Sequence, residues 1–278
     1  RLREFDMDNV LKSKNGKARG LAIGTSIAVG VVMMPTVAAE TQILGESDWV
    51  GISFWIATAA MLASTVFFLV ERQNVDDKWK TSMTVAALVT GVAWYHYTYM
   101  REVAVMDVAN GGGSPLVYRY IDWLITVPLQ VVEFYLIMAA IGAATFAMFR
   151  NLMAASIVML VAGFFGESGA WDLFGDSSTE IWWVIGMAGW GYILFALWNG
   201  DVKEASESGS DGVQFAFTSM RWIVTVGWAI YPVGYMMGND MLSGFDVDDM
   251  NIIYNVADLV NKTAFGMMVW YAATMDSE

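Results

Sequence analysis

The most informative pattern in the chain is a series of long apolar stretches separated by polar segments. A transmembrane helix needs about 20 mostly apolar residues, and seven windows of that kind follow one another. They fall near residues 51–70, 82–103, 116–140, 146–166, 181–199, 214–237 and 250–274. The pattern therefore predicts an all-α, seven-transmembrane-helix bundle, whose windows we number as the first to the seventh span.

The connections between these spans leave no room for a separate soluble domain. Before the fifth span, the segment 176-DSST supplies side chains that favour a helix N-cap. Residues 200–212, GDVKEASESGSDG, combine glycine, serine and charged side chains, which predicts a flexible, solvated linker.

The first 39 residues have the features of a signal peptide. Four basic residues between positions 12 and 19 precede an apolar run at 21–34, and small residues follow as far as Ala39, the predicted cleavage point. An extra, loosely packed helix is the alternative. We therefore predict an N-terminal extension at 1–39 and a seven-helix domain at 40–278.

Basic residues are unevenly divided between the two sides of the predicted bundle. With residue 40 outside, the outer connections carry only Arg101. The inner connections carry Arg72, Lys78, Lys80, Arg150, Lys203 and Arg221. Because basic loops tend to remain in the cytoplasm, the N-terminus is predicted to lie outside and the C-terminus in the cytoplasm.

Composition supports a membrane protein and excludes several other classes. Hydrophobic residues form 56% of the chain and charged residues 15%, whereas soluble domains contain about 25% charged residues. A net charge of −13 argues against nucleic acid as a partner. The absence of Cys excludes disulfides and thiol nucleophiles, and a single His leaves no basis for a His-rich metal centre.

Five ionisable residues lie deep inside the predicted spans. Arg119, Asp122 and Glu133 belong to the third span, and Asp258 and Lys262 to the seventh. Each costs at least about 2.5–3.5 kcal/mol to insert, so each indicates a function. Buried ion pairs that only fix helix packing are the alternative.

The carboxylates of the third span occupy two depths on one helix face. Asp122 and Glu133 are eleven residues apart, which is close to three turns, or about 16 Å along the axis. Glu133 has no evident cationic partner, and a carboxyl group alone in apolar surroundings normally keeps a proton. The spacing therefore predicts a proton relay. Glu167, near the outer end of the fourth span, is interpreted instead as a wet helix end.

Lys262 is the only lysine within a predicted span. A buried lysine is paired, neutralised or covalently modified, as in a Schiff base. Asp258 lies one turn away, and Asp122 on another helix supplies a second negative charge. Aromatic residues of three further segments, namely Trp123, Trp183, Trp190, Trp228, Tyr231 and Tyr235, predict a slot for a flat, conjugated ligand. Lipid-facing aromatic side chains are the alternative.

Several segments resemble the microbial rhodopsins, and specifically the proteorhodopsin family. The third span, 119-RYIDWLITVPLQVVEFYLI, is similar to that family's third helix, and 251-NIIYNVADLVNKTAFGMMVW is similar to its retinal-bearing helix. Further similar segments are 67-FFLVER, 94-WYHYTYMRE, 166-GES and 227-GWAIYPVGY. The resemblance covers about residues 48 to 274 with every span in order.

The resemblance implies that all-trans retinal binds covalently to Lys262 as a protonated Schiff base. It makes Asp122 the primary counter-ion and proton acceptor, and Asp258 the second counter-ion. It makes Glu133 the cytoplasmic proton donor.

The resemblance also implies roles for residues around this centre. Arg119 becomes the gating cation, Thr126 the hydroxyl beside the acceptor, and His96 the histidine that bonds the acceptor, although a lone His in a span is usually a satisfied core residue. The implied retinal contacts are Tyr97, Trp123, Gln130, Met159, Gly163, Trp190, Trp228, Tyr231 and Pro232. Tyr97 and Tyr231 are further expected to hold the second counter-ion.

The function that these residues imply is a light-driven outward proton pump. Gln130 resembles the residue of the blue-absorbing type. The alternatives are a sodium or chloride pump, a photosensory rhodopsin, and a seven-helix transporter or receptor without a covalent chromophore.

The expected partners are the lipid bilayer, protons and further copies of the chain in a ring-like homo-oligomer. The expected location is the plasma membrane if the host is bacterial, or an endomembrane if it is eukaryotic.

Overall fold

The structure is a computed structural model that describes residues 44–109 and 114–277, with only the backbone described at 104–109 and at 201. The predicted signal peptide and the predicted boundary at residues 39 and 40 lie outside these ranges. Within them the chain is helical and contains no β-strand.

Seven helical spans follow one another, as the apolar windows predict. The first, second and third spans are Trp49–Glu71, Lys80–Ala109 and Leu116–Ala140. The fourth and fifth are Phe146–Ser168 and Ser178–Asn199, and the seventh is Val247–Met275. The sixth consists of the α-helix Asp211–Trp222, the π-helical turn Ile223–Gly227 and the α-helix Ile230–Gly238.

Three short helical segments lie in the connections. Two are 3₁₀ turns, Asp77–Trp79 and Gly175–Ser177. The third is the helix Asp201–Ser206, so the prediction of a flexible linker over 200–212 is wrong for its first half. Val202 is 3% exposed and Ser206 is 4% exposed. Burial of the apolar Val202 side chain against the core fixes this segment in place.

Hydropathy alone identifies only four helices of the described part as candidate membrane spans: the first, the third, the fourth and the fifth, the last extended to Gly175–Asn199. The sixth is interrupted by its π-helical turn. The seventh carries Asp248, Asp249, Asp258 and Lys262. Its two deeper charges are buried inside the bundle, where they do not meet lipid.

The bundle places a row of polar side chains in its otherwise apolar interior and exposes apolar side chains on its outside. In the third span the inward face carries Arg119, Asp122, Thr126, Gln130 and Glu133, at helical spacings of three or four residues, and each is at most 2% exposed. The opposite face of the same helix exposes apolar side chains, among them Val117, Ile121, Leu124 and Ile125. This distribution is the one expected of a helix that faces lipid on one side and a polar interior on the other.

The C-terminal end of the seventh span is joined to two other segments by one carboxylate. Asp276 accepts hydrogen bonds from Ser210 at 2.6 Å, Lys78 at 3.1 Å and Trp79 at 3.3 Å. Burial alone would raise the pKa of the Asp276 carboxyl, but the bonds from Ser210 and Lys78 outweigh it and hold that pKa below its ordinary value. The ionised carboxylate therefore ties together the start of the sixth span and the connection between the first two spans.

Candidate functional site

Lys262 lies at the centre of the bundle between two carboxylates. Its side chain is 2% exposed and hydrogen-bonds to Asp122 of the third span. It also donates to Asp258 Oδ2 at 3.0 Å, one turn earlier in the seventh span. Arg119, which is fully buried, supplies the second positive charge in this region. Two cations and two anions therefore balance, as burial in a low-dielectric interior requires.

Asp258 is held by neutral donors from three other spans. Tyr97 donates to its Oδ2 at 2.9 Å, Tyr231 to its Oδ1 at 2.7 Å, and the indole N–H of Trp123 to its Oδ1 at 3.1 Å. With the bond from Lys262, both oxygens of this carboxylate are occupied. The expectation that Tyr97 and Tyr231 contact Asp258 agrees with this geometry.

Asp122 has a different environment. Its Oδ2 receives the bond from Lys262, but its buried Oδ1 has no hydrogen-bond partner within 3.5 Å among the described residues. The hydroxyl of Thr126 donates to the backbone carbonyl of Asp122 at 3.0 Å and not to its carboxylate. Asp122 can therefore take up a proton at Oδ1 without breaking a hydrogen bond, which Asp258 cannot do.

His96 is beside Asp122 but is bonded elsewhere. Its Nδ1 lies 3.6 Å from Asp122 Oδ1 and 3.0 Å from the carbonyl oxygen of Val92. A carbonyl oxygen only accepts, so this second contact places the proton of the ring on Nδ1. The structure thus brings His96 to Asp122 at a distance longer than a hydrogen bond.

Arg119 is positioned by amides and rings. Its Nη2 donates to Asn251 Oδ1 at 3.0 Å and to Asn255 Oδ1 at 2.8 Å. The rings of Phe54 and Tyr254 flank its guanidinium at 5.4 and 5.3 Å. Among the described residues no carboxylate oxygen lies within 4.0 Å of its nitrogens. Arg119 therefore interacts with the two aspartates by longer-range electrostatic attraction and does not form a direct ion pair with them.

An apolar cavity opens from Lys262 between the third, fourth, fifth and sixth spans. The cavity is lined mostly by aromatic and aliphatic side chains, as small-molecule sites usually are. Its predicted lining residues are Trp123, Gln130, Met159, Gly163, Trp190, Trp228, Tyr231 and Pro232. Further lining residues, predicted only as aromatic or not at all, are Tyr120, Val127, Leu160, Trp183, Gly186, Met187, Tyr235 and Tyr254.

Two indole rings of this cavity are fixed by their own N–H groups. Trp190 donates to the carbonyl of Val224 at 3.1 Å and Trp183 to that of Pro232 at 3.3 Å. These bonds leave the ring faces available to a ligand. Tyr97 is the exception among the predicted retinal contacts, since it lies beside Asp258 and not in the cavity lining.

The chemistry of the lining fits retinal. Retinal is a long apolar polyene with one aldehyde, and the cavity is an apolar slot with one amine, Lys262, among the described lining residues. An aldehyde and an amine condense to a Schiff base. The carboxylate pair next to that amine balances the positive charge of the lysine, and it would balance the positive charge of a protonated Schiff base equally well.

Glu133 lies apart from this centre, further along the same face of the third span. It is fully buried, and among the described residues neither carboxyl oxygen has a hydrogen-bond partner within 3.5 Å. The hydroxyl of Ser82 is the neighbouring polar group. No cation lies within 4.0 Å of it in the described part of the chain. The environment is therefore that of a carboxyl group that keeps its proton.

Glu167 has partners that the sequence interpretation did not include. It is the penultimate residue of its helix and half-buried, and it accepts hydrogen bonds from Tyr120 at 2.8 Å and from Tyr254 at 3.3 Å. Both tyrosines also line the cavity. Nothing in the spacing of the fourth span indicates these partners, which come from the third and seventh spans.

Sequence reasoning also missed the amides of the seventh span. Asn251 and Asn255 hold Arg119, and together with Asp258 and Lys262 they repeat at intervals of four, three and four residues. That is the period of one helix face. The stripe was therefore visible in the sequence, and it would have placed both amides beside the charged centre.

Comparison with known proteins gives consistent matches. The model of the family described as bacteriorhodopsin-like protein matches residues 48–275. The green-light absorbing proteorhodopsin of Gamma-proteobacterium EBAC31A08 is 48% identical over 250 residues, which are 89% of this chain and 95% of the relative. The blue-light absorbing proteorhodopsin of Gamma-proteobacterium Hot 75m4 is 48% identical over 258 residues, 92% and 97% of the two chains. The crystal structure of blue light-absorbing proteorhodopsin from Med12 aligns with a TM-score of 0.68 and 52% identity, over 82% of this chain and 99% of that one.

A prediction follows from the tight contact at Gly163. A Cβ atom there would lie 2.8 Å from the Tyr120 hydroxyl, which is held by Glu167. We expect Gly163→Ala to lower the free energy of unfolding by about 1–2 kcal/mol, since overpacking forces side chains from their rotamers. Thermal loss of helical circular dichroism in detergent measures this.

The matched control for that substitution is Gly191→Ala. A Cβ atom at Gly191 meets nothing within 4 Å, so alanine should stabilise its helix slightly through higher helix propensity. Equal unfolding temperatures for the two variants would contradict the packing argument.

Proposed function

The chain belongs to the bacteriorhodopsin-like protein family, and from this premise we propose that it is a light-driven proton pump that uses retinal and moves protons outward. It is a multi-pass membrane protein whose activity is ion transport and not the conversion of a soluble substrate. The observation that carries the proposal is the position of Lys262, between Asp122 and Asp258 at the end of an apolar cavity.

Bound to Lys262 as a protonated Schiff base, retinal supplies the absorption of light and the isomerisation that the transport cycle uses. The protein supplies groups that hold and move protons. Asp122 is proposed as the acceptor because its Oδ1 has no hydrogen-bond partner within 3.5 Å among the described residues. Asp258 remains ionised as the fixed counter-ion because Tyr97, Tyr231 and Trp123 occupy its oxygens.

Glu133 is proposed as the donor that replaces the proton from the cytoplasmic side. Its burial without a cation keeps a proton on the carboxyl in the resting state, and it lies on the same helix face as Asp122. The proton leaves Asp122 outward, past Arg119, which is held by Asn251 and Asn255. Directionality then depends on a change of access between the two sides, which is a shift between two conformations of the bundle.

Glu133 also favours a pump over a photosensory rhodopsin, because a sensor has no use for an inner proton donor. The set Asp122, Thr126 and Glu133 favours protons over sodium or chloride. The family resemblance supports a ring-like homo-oligomer, and the bacterial origin of the relatives supports the plasma membrane.

The function is tested by a light-on pH trace of cells that express the full chain and are supplied with retinal. We expect illumination to acidify the medium and a protonophore to abolish the change. Lys262→Ala should remove both visible absorption and acidification, because no other amine was found among the described lining residues of the cavity.

Lys203→Ala is the control for that variant. Lys203 pairs with Glu207 at the surface, away from the cavity, and its loss should change neither colour nor acidification. A Lys262→Ala protein that still absorbs visible light and acidifies the medium would overturn the assignment.

Glu133→Gln should slow the return of the resting absorption spectrum after a flash by about 100-fold, since positioned proton donors contribute factors of this order. The amide keeps the size of the side chain but has no proton to transfer. Recovery should therefore depend on bulk pH, and azide, a small proton carrier, should partly restore it.

Glu204→Gln is the control, because Glu204 is exposed outside the spans. If Glu133→Gln recovers at the unmutated rate at every pH, Glu133 is a packing residue and the donor lies elsewhere.

Gln130→Leu should shift the absorption maximum to longer wavelength. The chain is equally similar to a green- and a blue-absorbing relative, so overall identity does not indicate its colour and the residues around the ligand are the place to look. Gln130 lines the cavity, and its amide lies 3.5 Å from the backbone carbonyl of Asn261, next to Lys262. The absorption spectrum of the purified protein measures the shift.

Gln73→Leu, at an exposed position between the first two spans, should leave the spectrum unchanged. An unchanged or shortened wavelength in Gln130→Leu would refute the proposed role of this amide in setting the colour.

A further inference from the structure

The sixth span contains a break in its backbone hydrogen bonding. Residues Ile223–Gly227 form a π-helical turn in which the N–H of Trp228 donates to the carbonyl of Ile223 at 3.1 Å. Pro232 is five residues after Gly227 and has no N–H, and the N–H of Tyr231 donates to Trp228 at 3.1 Å. The two backbone groups that would normally pair with the Gly227 carbonyl are therefore absent or engaged elsewhere.

Asn261 of the seventh span supplies the donor that the backbone does not. Its Nδ2 donates to the Gly227 carbonyl at 3.0 Å, and its side chain lies close enough that a Cβ atom at Gly227 would be 1.8 Å from Asn261 Oδ1. A larger residue at this position would displace the Asn261 amide from its bond, and glycine leaves room for it. A buried carbonyl without a partner is costly, so this bond fixes the local geometry of the turn.

Asn261 is also directly linked to the charged centre. It precedes Lys262, its Nδ2 lies 3.4 Å from the hydroxyl of Tyr231, and that hydroxyl donates to Asp258. Its own backbone carbonyl accepts from Gln130 at 3.5 Å. One buried side chain, 2% exposed, therefore connects the lysine of the cavity with the break in the sixth span.

We propose that Asn261 is a positioning residue whose amide sets the bend of the sixth span and couples that bend to Lys262. Helices bend at π-turns and at proline, and this span has both within ten residues. A displacement of the Lys262 backbone moves the adjacent amide and weakens its bond to Gly227. The sixth span is then free to bend at Gly227. This bend gives the change of access that the proposed function needs, and the coupling therefore rests on that proposed function.

The size of the movement follows from helix geometry. Gln214 is thirteen residues before Gly227, which is about 20 Å along the axis at 1.5 Å per residue. A bend of about 10° at Gly227 moves the start of the sixth span by about 3 Å at that distance. Displacements of this size are measurable between two spin labels.

The test uses the full chain with retinal bound, in lipid nanodiscs. Because the sequence has no Cys, cysteines introduced at the exposed positions Thr81 and Gln214 are the only labelling sites. They lie at the starts of the second and sixth spans. We expect Asn261→Ala to lengthen the distance between the labels in the dark by about 3 Å, and to reduce its light-induced change at least twofold.

Two further variants isolate the amide-to-carbonyl bond. Asn239→Ala removes an amide that donates to the carbonyl of Tyr235 at 2.8 Å, at the other end of the span, and should leave the distance unchanged. Pro232→Ala restores an N–H near Gly227. In a protein that carries this substitution, Asn261→Ala should lengthen the distance between the labels by less than half of the lengthening seen when Pro232 is present. If Asn261→Ala acted only by making the whole bundle less rigid, its effect would be the same with and without Pro232.

An unchanged distance in Asn261→Ala, or an equal lengthening in the presence and absence of Pro232, would overturn the proposal. The dark distance does not depend on transport. A protein that fails to acidify the medium but shows the expected distances therefore counts against the proposed function and not against the role of Asn261.

Discussion

The structure depends on the compensation of charge around Lys262 in a medium that solvates charge poorly. The ammonium of Lys262 is buried among seven helices, and Asp122 and Asp258 provide anions within hydrogen-bond distance of it from two spans. The third and seventh spans must therefore face each other in one rotation only. Aromatic and amide donors from the remaining spans then have fixed acceptors to meet, so one ionic contact orients much of the polar interior.

The two carboxylates are chemically identical, and the fold makes them different. Asp258 receives bonds from four side chains, including Lys262, on its two oxygens, whereas Oδ1 of Asp122 receives none within 3.5 Å in the described part of the chain. A lysine with two equivalent partners could not send a proton in a defined direction. The difference in hydrogen bonding supplies the asymmetry that the proposed function needs, and in that proposal Glu133 extends the proton pathway to a second depth in the membrane.

Much of the fold could be predicted from the sequence, because apolar length determines where a helix can cross a bilayer. The predicted third span, 116–140, agrees with the observed helix at both ends. The helix Asp201–Ser206 was not predictable in this way, since it depends on burial of Val202 against residues far along the chain. The same limit applies to the site. Lys262 and Asp258 share a helix, so their spacing was enough to pair them. The partners of Glu167 and the bond from Asn261 to Gly227 could not be predicted, because they depend on how separate helices meet.

The stripe of Asn251, Asn255, Asp258 and Lys262 has a consequence for how this sequence can change over time. Each residue of a helix is turned by about 100° from the one before it. Loss or gain of a single codon between positions 251 and 262 would therefore rotate the amides that hold Arg119 away from the aspartate and lysine. Point substitutions can be tolerated at exposed positions of this helix such as Val256 and Val260, but its length cannot change. Insertions and deletions within the seventh span are thus expected to be strongly selected against.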